Sequence, residues 1–108
     1  MIIKGTTPTI RWTFDVVDPA TITTAYLTFK QGCGPDVEKW ETVLEKDISG
    51  MTRGESYVDW DLTQEDTMTL RTKQPVDIQM NYKTSAGKRY ATAHVRETIG
   101  INNKDGEI

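Results

Sequence analysis

At 108 residues the chain makes a single domain, long enough to bury about two thirds of the surface its unfolded form exposes. Hydrophobic residues at 36% and charged residues at 27% are ordinary for a globular protein and too apolar for disorder. A net charge of −3, with lysines and arginines scattered, argues against general nucleic-acid binding. No apolar run nears the roughly 20 residues of a membrane span, so no membrane association is expected.

The single cysteine, Cys33, excludes an internal disulfide and suits a reducing compartment. The start, Met1 to Gly5, lacks the long apolar core of a signal peptide, which predicts an unsecreted soluble domain.

In chain order, Gly5 and Pro8 punctuate a short apolar lead. From Thr9 the chain alternates, with Ile10, Trp12, Phe14 and Val16 predicted to share a core face until Asp18-Pro19 stops the strand. Residues 22–30 are rich in β-branched and aromatic types and predict a second strand with Ala25, Leu27 and Phe29 inward. Two glycines and a proline make 31–36 a loop, and 37–40 reads equally as loop or helical turn. Residues 42–48 form a polar strand, which predicts an edge position. Met51-Thr52 reads as a short strand between turns.

The stretch from Ser56 to Leu70 organises the rest. Val58, Trp60 and Leu62 alternate against Tyr57, Asp59 and Asp61, and the first set is expected in the core because buried carboxylates without partners are costly. Thr63 then suits an N-cap, with Asp66 three residues later closing a variant capping box. The helix is short, since threonines follow and Pro75 ends any continuation, and Met68 and Leu70 are expected to plug the core. Residues 76–82 alternate again, 85–88 turn the chain, and 90–99 return it with Ala91, Ala93 and Val95 expected inward.

The sum is an all-β fold: an immunoglobulin-like antiparallel β-sandwich of six or seven strands with one short helical turn between late strands. A small barrel of the OB type is the alternative. One domain over residues 1–100 is expected, with 101–108 a turn-rich tail.

Nothing in these residues spells out catalysis, a cofactor or a metal site. His94 is the one histidine and reads as a sheet-surface residue without a positioned partner. One histidine and one cysteine offer no metal-ligand spacing. Cys33 has no sequence neighbour that lowers its pKa. Asp59 and Asp61 share a strand face about 7 Å apart, a spacing open in principle to a glycosidase or calcium site, but a solvated sheet face is far more common and no further ligand pattern accompanies them. Asp36, Glu38 and Glu41 read the same way. Trp12 and Trp60 fall on core faces, whereas Trp40 lies in an irregular charged segment and is the candidate interface aromatic.

Four short stretches, Ile3 to Thr9, Leu44 to Asp47, Leu62 to Thr67 and Val76 to Gln79, together resemble small proteins of prophage tail regions in Gram-positive bacteria. These are similar to the N-terminal module of phage baseplate upper proteins. The resemblance runs nearly end to end and implies an immunoglobulin-like domain of a virion tail or baseplate, made in the host bacterial cytoplasm. It implies no enzymatic activity, and docking onto other tail or baseplate proteins or self-association into a homo-oligomer. The Cys33–Trp40 loop is longer than the tight hairpin of that family, and host recognition is not carried over. The competing reading is a carbohydrate- or small-ligand-binding module using Trp40 and the acidic loop.

Overall fold

Alternation along the chain becomes ten short strands in the computed structural model, which describes residues 1–101. The expected tail lies outside the described residues, apart from Ile101. The strands are β1 (Ile2–Ile3), β2 (Thr9–Thr13), β3 (Ile22–Gln31), β4 (Glu41–Asp47), β5 (Met51–Arg53), β6 (Tyr57–Asp61), β7 (Val76–Thr84), β8 (Arg89–Ala91), β9 (Val95–Glu97) and β10 (Ile99–Gly100). One helix, α1 (Gln64–Met68), follows β6.

The fold is an all-β sandwich. A three-stranded antiparallel sheet runs β2-β6-β5, and a larger one runs β4-β3-β7-β8 with β9 continuing the β8 edge. β1 and β10 form a small parallel pair beside them. β3 hydrogen-bonds β4 on one side and β7 on the other. Ala25, Leu27 and Phe29 of β3, Val76, Ile78 and Met80 of β7, and Val58, Trp60 and Leu62 from the facing sheet form one core, as their alternation predicts. The polar β4 lies at an edge as expected, and a bulge at Phe29/Lys30 lets both Val43 and Leu44 touch the core.

Thr63 caps α1 as the sequence predicts. Its Oγ1 accepts from Asp66 N at 3.0 Å, and Asp66 Oδ2 accepts from Thr63 N at 2.9 Å, a reciprocal capping box. Leu70 plugs the core, while Met68 is only half-buried. The buried helical residue is Thr67, whose hydroxyl donates to Thr6 O at 2.8 Å and accepts from Gly5 N at 3.0 Å, tying the N-terminal lead to the helix.

Two expectations are corrected. Val16 is 95% exposed, because β2 stops at Thr13 and the bends that follow hand the inward position to Val17. Ala91, Ala93 and Val95 do not form a buried face. The pairing with β7 shifts by one residue between Ala91 (opposite Asn81) and Val95 (opposite Ile78), so Tyr90, not Ala91, shares the side of Tyr82. At the shift, Thr92 Oγ1 accepts from Met80 N at 3.0 Å and stands in for a backbone partner. Val95 lies beside Ile78 but on the sheet edge, where no strand covers it.

Candidate functional site

The β3–β4 connection, residues 32–40, is the most elaborated loop of the larger sheet. Its start is pinned from inside: Gln31 is buried, its amide donating to Arg71 O at 2.8 Å and Gln74 O at 3.0 Å and accepting from Arg71 N at 2.8 Å. Gly34 takes φ +91°, a left-handed conformation that favours glycine. Val37–Lys39 make one 3₁₀ turn, closed by Trp40 N donating to Val37 O at 3.0 Å. The chain then enters β4 with Glu41 opposite Gln31.

Trp40 is not the exposed aromatic that its charged neighbourhood suggests. It is 6% exposed, packed on Gly32 with the Arg96 guanidinium 4.7 Å over its ring. The indole is covered because it packs on Gly32 and lies under Arg96, a placement that flanking residues do not encode. Trp40 thus secures the loop, and the exposed residues are Cys33, Gly34, Pro35, Asp36, Glu38 and Lys39.

Beside it lies Asp77, a carboxylate only 3% exposed. Cross-strand register sets it between Lys30 on β3 and Arg96 on β9. His94 Nδ1 is 2.6 Å from Asp77 Oδ2, while Arg96 Nη2 stops 3.8 Å from Oδ1, beyond hydrogen-bond reach. Asp77 Oδ1 and Trp40 Nε1 are both buried without a hydrogen-bond partner. Each such orphan costs about 1–3 kcal/mol, so this cluster is held by the packing around it and does not drive folding. A hollow of about 380 Å³ opens between Pro35, Asp36 and Glu38 of the loop and Lys30, Asp77 and His94 of the sheet.

Chemically, Asp77 holds His94 by Nδ1 beside the hollow, half an acid–base arrangement. Among the described residues no hydroxyl or thiol bonds that imidazole as a nucleophile would, and no group of His, Cys, Asp and Glu is arranged to hold a metal. Cys33 is exposed and 3.8 Å from Gln74 Nε2, apart from His94. Asp59 is gripped by Arg11 through Nε–Oδ1 at 2.8 Å and Nη2–Oδ2 at 2.9 Å, with Arg11 also 3.8 Å over the Tyr57 ring. That ion pair, foremost its hydrogen bond, holds the Asp59 carboxyl below the ordinary range. Asp61 accepts from the Thr9 hydroxyl and Glu41 pairs with Arg71 at 2.6 Å. These acids belong to cross-strand and loop contacts and do not converge. Trp60 is fully buried and Trp12 packs half-buried against the core, as expected.

No protein-family model matches the chain, and no curated protein matches it. Among the described residues no helix is long and apolar enough to cross a membrane. Asp77 was not legible in the sequence, where one acid in the run Val76-Asp77-Ile78-Gln79 looks like any outward strand position. Its contacts with His94 and Arg96, made across the fold, are what a local pattern does not record.

Proposed function

We propose that this chain is a non-enzymatic structural or docking component of a phage or prophage tail or baseplate, acting through protein–protein contacts. The observation that carries the reading is the 32–40 loop: an exposed acidic tip on a base secured by Trp40, Arg96 and the Gln31 bonds. A pre-organised loop loses little entropy on binding, which is what a docking surface needs. The four stretches resembling prophage tail proteins supply the partner class: other tail or baseplate proteins, or further copies of the chain. Synthesis in a bacterial cytoplasm and incorporation into a virion go with it.

The competing ligand-binding module is left without its stacking platform, since the Trp40 indole is covered. Co-purification of the full chain with a panel of phage tail and baseplate proteins tests the docking reading. Stoichiometric capture is expected, and failure of every tail protein to bind overturns it.

A further inference from the structure

We propose that the acidic 32–40 loop of one copy docks into a basic hollow beside Tyr26 at the opposite end of the larger sheet of a second copy. The contact is head-to-tail, and it rests on the docking reading above.

Charge is segregated along this sheet. Residues 78–95 contain no carboxylate and carry Lys83, Lys88 and Arg89, whereas residues 32–41 carry Asp36, Glu38 and Glu41, of which Asp36 pairs with Lys39 at 3.8 Å and Glu41 with Arg71 at 2.6 Å. Gln31 pairs with Val76 at one end of β3 and Ile22 with Thr84 at the other, so the acidic loop and the 85–88 turn leave opposite ends. Ten residues of β3 at about 3.3 Å each put them about 30 Å apart, too far to meet within one molecule.

The hollow beside the 85–88 turn has about 310 Å³, and of its lining residues Thr24, Tyr26, Asn81, Lys83 and Arg89 share the outer face of the sheet. Tyr26 is 44% exposed on this face, whereas Tyr82 and Tyr90 stack on each other at 5.2 Å on the core-facing side. Asp18, at the same end, caps the Pro19–Thr21 turn through Ala20 N at 3.0 Å. The loop offers the matching chemistry: Pro35 and Val37 as apolar contacts, interleaved with Asp36 and Glu38. Among the described residues Glu38, Lys83 and Arg89 have no ion-pair partner, so their charges are available. Apolar wall meets apolar loop residue, and cationic rim meets carboxylate. Such a contact joins two different patches, so it propagates into a ring or a filament.

Sedimentation velocity of the full chain at rising concentration, in low and high salt, reads this out. Concentration-dependent assembly that weakens with salt is expected. Glu38→Lys and Arg89→Glu, both at exposed positions, should each weaken assembly at least about tenfold while circular dichroism stays unchanged. An equal mixture of the two variants should assemble again, because each reversed loop then meets a reversed groove. A wild-type chain that stays monomeric at all concentrations, or a mixture no better than either variant alone, overturns the proposal. In that event capture of a tail protein by the same samples would leave the docking reading standing, and its absence would remove both.

Discussion

A methyl group added at Gly32 would lie 2.6 Å from both Cγ and Cδ1 of Trp40, so the two ends of the loop meet only because residue 32 has no side chain. The aromatic ring cannot retreat easily, with Arg96 4.7 Å over it. Gly32→Ala should therefore cost about 1–3 kcal/mol by overpacking. Urea unfolding followed by tryptophan fluorescence measures it, and a change below about 0.5 kcal/mol would mean the loop re-seats freely.

Trp60 carries the largest fully buried side chain, and its Nε1 donates to Asp47 O at 2.9 Å. Trp60→Ala removes core volume from the contact between the sheets and leaves that carbonyl without its indole donor. A loss of about 3–5 kcal/mol is expected, a large share of a small domain's stability. An unchanged melting temperature would contradict the core assignment.

The two threonines of the helical turn should differ. Thr63→Ala loses one exposed cap and should cost about 1 kcal/mol. Thr67→Val keeps the shape but strands Gly5 N and Thr6 O in a buried setting, so about 1–3 kcal/mol is expected, at least matching the cap. Thermal melts of both variants decide the order.

Acid should destabilise the fold through named carboxylates. Burial pushes the Asp66 carboxyl up, but the Thr63 amide and the Lys46 ammonium at 3.0 Å outweigh it and hold it below its ordinary 3.8. Asp59 is lowered by Arg11, and Asp47 by the Ser49 hydroxyl and amide. For each, the folded value lies below the unfolded one. The stabilisation is therefore present above about pH 4 and is lost as pH falls through the lowered folded values. Denaturant midpoints at pH 7 and pH 3 should differ, and Asp66→Asn should narrow that difference.

Arg96 covers Trp40, so Arg96→Ala should uncover the indole. Acrylamide quenching of tryptophan fluorescence should rise and amide exchange over residues 33–40 should quicken, with little change in global melting. Quenching equal to that of the parent chain would show that Gly32 and the sheet suffice to hold the ring.

The strands that read most clearly, β3, β6 and β7, are those whose alternation is driven by one buried face. Burial repeats every second residue there, and Leu27, Trp60 and Ile78 each fall where period two puts them. The helix start was equally legible, because a capping box is a contact between residues three apart. Past Thr13 and along residues 89–95 the same rule failed. A bend and a one-residue shift each change the phase, and neither Val16 nor Ala93 carries a local mark of it.

From the chain alone, then, come an all-β fold, the core faces of β3, β6 and β7, the polar edge strand and the Thr63 cap within the Ser56–Leu70 stretch. All of these rest on contacts between near neighbours or on a simple repeat. Only tertiary structure buried Trp40, joined Asp77 to His94 and Arg96 across two strands, and put an acidic loop and a basic hollow at opposite ends of one sheet. Those relations depend on which strand lies beside which. Register across residues some 20 to 60 apart in the chain is set by the packing of the whole core, which no local pattern records.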